Sequence, residues 1–148
     1  MKTKIHAIAG VTGFLTILAF WTSTVATELF GSYETIAYVK TMILGGMFIL
    51  IPAMIVVGAS GMSLGRKRRD ALAMSKKKRM PFIAMNGLLI LLPAAFYLQS
   101  KSVVGEFDTM FFAIQTLELV AGATNLILMG LNIRDGMAMA KRRNEIAN

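Results

Sequence analysis

The sequence predicts an all-α integral membrane protein, a bundle of four transmembrane helices. Hydrophobic residues make up 55% of its 148 residues and charged residues only 16%, against roughly 25% charged residues in soluble domains. Four apolar runs are each long enough to cross a bilayer core of about 30 Å, which takes roughly 20 helical residues. The Lys and Arg residues fall in three short segments between or beside these runs, apart from Lys40 and Lys101, as is typical of membrane helices and their loops.

The four predicted spans form a single domain and leave little of the chain for anything else. They cover residues 5–25, 38–64, 80–98 and 109–133, with a basic loop at 65–79 and a basic tail at 134–148. Pro81 is expected in the first turn of the third helix, where its missing N–H costs nothing, and Gly136 is expected to end the fourth. Pro52 and Pro93 fall inside spans and are expected to kink them.

The basic residues predict the orientation, because Lys and Arg that flank membrane spans are retained on the cytoplasmic side. Both termini and the basic loop are therefore expected to be cytoplasmic, in a bacterial inner membrane. The opposite turns are mildly acidic and carry Glu28, Glu34, Glu106 and Asp108. The basic loop is also expected to gather anionic lipid headgroups. Since topology accounts for the net charge of +8, we expect no nucleic acid as a partner.

The first run has an alternative interpretation as a secretory signal. Lys2 and Lys4 precede its apolar stretch, and the small residues Thr24 and Ala26 follow it, as they do in cleaved signals. The stretch is longer than the roughly 7 to 15 residues of a signal core. We therefore expect this helix to be retained.

The chain also resembles a duplicated helical hairpin. A shift of 74 residues places the turn 31–35 on 105–109 and preserves a glycine, an aromatic residue, an acid and a threonine in that order. This internal repeat predicts two tandem hairpins that start on the same side, related by a pseudo-twofold axis along the membrane normal. Because so small a bundle has much surface to share, we expect a homo-oligomer or a subunit of a larger membrane complex.

The same shift places the only histidine, His6, on Met80. Imidazole and thioether are both axial donors of haem iron, and small residues at helical spacing leave room for a macrocycle. The sequence therefore predicts a b-type haem protein in electron transfer, with His6 and Met80 as iron ligands. The small residues expected beneath the haem are Gly10, Gly13 and Gly87, and the expected partners of its propionates are Arg66 and Arg79. The alternative is an interfacial histidine beside glycines that serve helix packing.

A second candidate site centres on Glu118, an acid about 13 Å inside the fourth predicted helix. Lys40 is expected within its reach, and Gln115 and Asn125 lie on the same helix face as Glu118. Because an unpaired charge within a membrane is costly, such an acid indicates either a functional site or a structural ion pair. The functional alternative is a small secondary transporter or channel-like protein. The size is similar to that of small four-helix drug exporters, but those carry their key acid in the first helix, which here has no acid before Glu28.

The remaining sequence features exclude several functions. No cysteine is present, which removes disulfides, thiolate catalysis and iron–sulfur clusters. No phosphate-binding glycine loop, nucleophile elbow or paired histidines on a helix are present, so we expect no enzyme of these kinds. A third alternative therefore stays open, a non-catalytic accessory or assembly subunit of a membrane complex.

Overall fold

The computed structural model describes residues 2–65 and 70–147, and within these ranges it contains helices and short connections but no strands. The helices are α1 Lys2–Phe30, α2 Tyr33–Gly65, α3 Ala71–Asn86, α4 Leu92–Val103 and α5 Thr109–Ala147, with a π-helical turn, Gly87–Leu91, between α3 and α4. Four stretches are long and apolar enough to cross a membrane, namely Thr3–Phe30, Tyr33–Gly65, Ala71–Val103 and Thr109–Arg142. The prediction of an all-α chain with four helices long and apolar enough to cross a membrane is confirmed.

The helices extend beyond the predicted spans, because those spans counted only apolar residues. The segment 71–79, predicted as loop, is helical, and Asp70 caps it by accepting a hydrogen bond from the Ala73 N–H at 3.3 Å. Pro81 consequently lies inside α3 rather than in its first turn. Gly136 lies inside α5 rather than at its end, since one glycine costs a helix only about 1 kcal/mol relative to alanine. The remainder of the predicted loop, 66–69, lies outside the described residues.

The π-helical turn precedes Pro93, where the sequence predicted a kink. The N–H of Leu92 donates to the carbonyl of Gly87, five residues earlier. Pro93 has no N–H to continue the α-helical pattern, and a π-turn is one way for a helix to absorb that loss. Pro52, by contrast, lies within an α2 that is helical throughout.

Helix α1 packs along α2 in the antiparallel sense, because residues later in α1 contact residues earlier in α2. His6 meets Ser60, and Phe20 meets Gly46, where an added Cβ would lie 2.5 Å from the ring. The buried apolar core is small, and among the described residues most of it forms three clusters. These are Ile17, Ile83 and Met129; Ile36, Leu98 and Phe111; and Ile43, Met47 and Ala95. Many large apolar side chains face outward instead, as Phe48 does at 86% exposure, which suits a surface in contact with lipid.

The two connections at the end of the bundle that carries the acidic turns are tied together. Tyr33 stacks on Phe107 with ring centroids 4.2 Å apart. Asp108 caps α5 by accepting from the Phe111 N–H at 2.7 Å, and Lys101 donates to Glu106 and Asp108. The hydrogen bond from Phe111, followed by that from Lys101, holds the pKa of Asp108 below its usual value.

Candidate functional site

A buried ion pair joins α2 to α5. Lys40 Nζ lies 2.7 Å from Glu118 Oε2, and only 2% of the Lys40 side chain and 13% of the Glu118 side chain are exposed. By helix rise, Lys40 lies about 10 Å from the start of α2 and Glu118 about 13 Å from the start of α5. The structure therefore brings these two predicted site residues into direct contact inside the bundle.

Gln115, one turn before Glu118 on α5, completes the environment of the same carboxylate oxygen. Its Nε2 donates to Glu118 Oε2 at 3.1 Å, and the residue is 3% exposed. Oε2 thus accepts from both an ammonium and an amide. The remaining amide oxygen, Gln115 Oε1, is buried and has no hydrogen-bond partner among the described residues.

A second acid, Glu28 of α1, belongs to this cluster, although the sequence analysis had placed it in a surface turn. Glu28 Oε1 is likewise buried without a partner among the described residues, although the residue as a whole is only half-buried, and it lies near enough to Lys40 and Glu118 for their charges to act on it. Thr24, one turn earlier on the same face of α1, is buried at 2% exposure, so the face that carries Glu28 is turned toward the bundle. We refer to Lys40, Glu118, Gln115 and Glu28 as the acidic cluster.

A cavity of about 60 Å³ lies beside Glu118, with walls that include Trp21, Thr24 and Gly122. The Trp21 indole N–H donates to the Leu119 carbonyl at 2.9 Å. Its ring lies against Gly122, where an added Cβ would be 3.0 Å from Cδ1. Trp21 therefore fastens α1 to α5 and forms one side of this cavity. The volume of this cavity exceeds the roughly 10–15 Å³ that one water molecule needs.

Asn125, the fourth residue predicted for this site, lies apart from the acidic cluster by roughly two helical turns. It is 1% exposed and accepts from Asn86 Nδ2 at 2.9 Å. Asn86 also donates to the Ala121 carbonyl at 2.8 Å, while Asn125 Nδ2 donates to the Ile83 carbonyl at 3.4 Å. The two asparagines thus bind α3 to α5, and Asn86 is a partner that the sequence analysis missed.

The structure also brings the predicted haem ligands His6 and Met80 to the same glycine of α2. A Cβ added to Gly61 of α2 would lie 2.6 Å from Met80 Cε and 3.3 Å from His6 Cε1. His6 Nδ1 is 2.9 Å from Ser60 Oγ and shares a hydrogen bond with it. The two side chains therefore converge from α1 and α3 on one point of α2.

The small residues predicted to lie beneath a haem have protein neighbours. A Cβ added to Gly13 would lie 3.2 Å from Met54 Sδ, and one added to Gly10 would lie 4.0 Å from Val57. A Cβ added to Gly87 would lie 3.9 Å from Nδ2 of the buried Asn125. These contacts are those of closely packed helices, and haem binding stays a prediction.

Of the two arginines predicted to hold propionates, Arg79 is engaged elsewhere and Arg66 lies outside the described residues. Arg79 Nη1 donates to Asp135 Oδ2 at 2.6 Å and to Asn132 Oδ1 at 3.3 Å. Asp135 is 3% exposed and also accepts from Arg134 Nη2 at 3.1 Å. This second buried ion pair joins α3 to α5 about 25 Å along α5 from Glu118, and the sequence analysis did not predict it.

Comparison with protein-family models, with curated proteins and with solved structures finds no match to this chain.

Proposed function

We propose that this protein is a small secondary transporter or channel-like protein that binds a proton or another monovalent cation at the acidic cluster. One observation carries the proposal: the Lys40–Glu118 pair is buried between two helices long and apolar enough to span a membrane, and the buried Oε1 of a nearby second acid, Glu28, has no partner among the described residues. With Glu28 included, the acidic cluster has two carboxylates and one ammonium group, so its formal charge is −1 when all three are ionised.

An unbalanced buried charge calls for an occupant, because charges removed from water are stable only when paired or neutralised. One proton, or one monovalent cation, brings the cluster to neutrality. A purely structural ion pair needs only Lys40 and Glu118, which already neutralise each other at 2.7 Å. Glu28 is in excess of that requirement, and its unpartnered Oε1 is an acceptor that a cation or a proton satisfies.

The arrangement also suggests how binding and release are balanced. Glu118 lines the cavity of about 60 Å³, so an incoming cation reaches the carboxylate that Lys40 already holds. Lys40 thereby acts as a tethered competitor, which keeps the affinity for the occupant moderate. Moderate affinity is what a carrier requires, since a site that binds too tightly does not release.

We further propose that both termini lie on the cytoplasmic side of a bacterial inner membrane, that the chain is built from two tandem hairpins, and that it forms an oligomer or joins a membrane complex. The charge distribution supports the orientation, and the basic segment 65–79 would there meet anionic lipid headgroups. The stack between Tyr33 and Phe107 supports the duplication. The shift of 74 residues makes these two positions equivalent, and equivalent residues that lie next to a twofold axis contact each other across it.

The test is cation flux in proteoliposomes with an imposed membrane potential, followed with an internal pH dye and, separately, with internal Na⁺ and K⁺ indicators. We expect flux with the wild-type protein and its loss in Glu118→Gln and Glu28→Gln, with helical content unchanged by circular dichroism. Glu106→Gln is the matched control, since it makes the same change in an exposed surface pair and should leave flux intact. Flux that survives in Glu118→Gln overturns the proposal, and a wild-type protein without flux favours the accessory subunit.

A further inference from the structure

We infer that the organic substrate of this site is a primary amine with an apolar tail, whose ammonium group binds at the acidic cluster and whose tail occupies a second cavity that opens toward lipid. The inference rests on the proposed function and adds the class of substrate to it. Three features of the structure support it: a shared wall between two cavities, the exposure of the outer wall, and the unpartnered acceptors of the cluster.

The second cavity has a volume of about 230 Å³ and adjoins the one beside Glu118. Ile17, Met47 and Leu91 line both cavities, so a partition of three apolar side chains separates them. Together the two spaces approach the roughly 300 Å³ at which small-molecule sites begin. One molecule that passes this partition has an end beside Glu118 and the remainder in apolar surroundings.

The larger cavity is apolar and faces outward. Among the described residues that line it, Asn125 has the only polar side chain, and that side chain is bonded to Asn86 and the Ile83 carbonyl. Two other lining residues, Ile55 and Leu88, are 65% and 63% exposed. They belong to α2 and to the π-helical turn, so the cavity opens sideways between these elements, on a surface suited to acyl chains. An apolar tail dissolved in the bilayer therefore has direct access to it.

The charged end of the substrate follows from the acidic cluster. Its charge imbalance takes one positive charge, Glu118 of the cluster lines the smaller cavity, and the buried oxygens Glu28 Oε1 and Gln115 Oε1 have no donor among the described residues. A primary ammonium group has three N–H donors and a single positive charge. A quaternary ammonium supplies the charge without the donors, and an alcohol supplies one donor without the charge.

The test measures calorimetric binding to the full chain in lipid nanodiscs for phenethylammonium, methylammonium and 2-phenylethanol. The first has both tail and charge, the second lacks the tail and the third lacks the charge. Because the tail buries an aromatic ring, we expect phenethylammonium to bind at least about tenfold more tightly than methylammonium. We expect 2-phenylethanol to bind at least about tenfold more weakly than phenethylammonium, and Glu118→Gln to weaken both amines.

Ala84→Phe fills the larger cavity, which Ala84 lines, and should reduce the affinity for phenethylammonium to that for methylammonium. Unchanged methylammonium binding in this variant shows that it is folded. Ala59→Phe is the matched control, because Ala59 is exposed and is not among the residues that line this cavity; it should bind both amines as the wild type does.

The outcomes separate this inference from the proposed function. If wild-type protein binds the two amines equally, or Ala84→Phe keeps full affinity for phenethylammonium, the inference is wrong while proton or cation flux through Glu118 stands. Equal binding of 2-phenylethanol and phenethylammonium also overturns it. If Glu118→Gln binds both amines as the wild type does and retains flux, the proposed function is overturned as well.

Discussion

Separate and joint removal of Lys40 and Glu118 gives the sharpest test of the buried ion pair. Lys40→Met leaves the carboxylate of Glu118 without its cation, and Glu118→Leu removes the acid that contacts the ammonium of Lys40. The double variant removes both charges and keeps apolar side chains of similar length. The energetic signature of the pair is therefore the difference between the double variant and the sum of the single ones.

The magnitudes follow from the geometry. At the 2.7 Å between Lys40 Nζ and Glu118 Oε2, two unit charges attract by about 6 kcal/mol at an effective dielectric constant of 20. Desolvation of both groups offsets much of this attraction. Loss of one partner leaves an uncompensated buried charge, which costs about 3–5 kcal/mol, whereas replacement of both partners by apolar residues is often neutral or stabilising. Each single variant should thus lose about 3 kcal/mol or more, and the double variant no more than about 1 kcal/mol.

The free energy of unfolding can be followed in mixed micelles titrated with SDS, through the fluorescence of Trp21. It is the only tryptophan, and its hydrogen bond to the Leu119 carbonyl places it where α1 meets α5, so its emission reports their separation. The exposed pair Lys101 and Glu106 provides the control cycle, which should show little coupling because solvent screens it. Additive losses in the Lys40–Glu118 cycle, or losses no larger than in the control cycle, would refute the reasoning.

Three further predictions concern packing, pH and the cofactor. Gly46→Ala places a methyl group 2.5 Å from the Phe20 ring and should lower the unfolding free energy by about 1–3 kcal/mol in the same SDS titration. The control Gly45→Ala, whose added methyl group has no neighbour within 4 Å, should leave the unfolding free energy unchanged. Equal effects of the two substitutions contradict the packing of α1 on α2. Because the pKa of Asp108 is lowered, its ionised form stabilises the fold above the unperturbed value of 3.8. The unfolding free energy of the wild type should therefore exceed that of Asp108→Asn most near neutral pH, and the difference should shrink as pH falls below 3.8. A difference that grows on acidification contradicts this reasoning. If the haem prediction is right, protein expressed with ample haem has a Soret band and sharp reduced bands in its visible spectrum that His6→Ala or Met80→Ala abolishes; a colourless wild-type protein contradicts it.

The sequence predicted the helices well, because the length of an apolar run and the placement of charges depend only on the bilayer. It predicted their ends poorly. Helix α3 begins at Ala71 and α5 continues to Ala147, since alanine, lysine and methionine favour helix whether or not a membrane surrounds them. The π-helical turn shows the same limit: Pro93 indicated a local disturbance, but not which form it takes.

Depth along a helix was predictable for the site, whereas rotation about the helix axis was not. Lys40 and Glu118 were expected to approach because helix rise places both at similar depth, and the structure joins them. The partners of Asn125 and Arg79 depend on which faces of α3 and α5 meet, so Asn86 and Asp135 were not foreseen. Glu28 was misplaced for a third reason, since its role depends on α1 continuing as far as Phe30.

Glu28 is also the residue that separates a structural from a functional explanation of the acidic cluster. A lock between α2 and α5 needs one lysine and one acid, and apolar residues would serve that purpose as well or better. A second carboxylate with a buried unpartnered oxygen lowers stability, and a glutamine or leucine at the same position would avoid that cost. Ionisable groups kept inside a membrane at such a cost typically mark ion or proton pathways. In the proposed function, an occupant that brings one positive charge of its own accounts for the excess charge, which a lock between helices does not require.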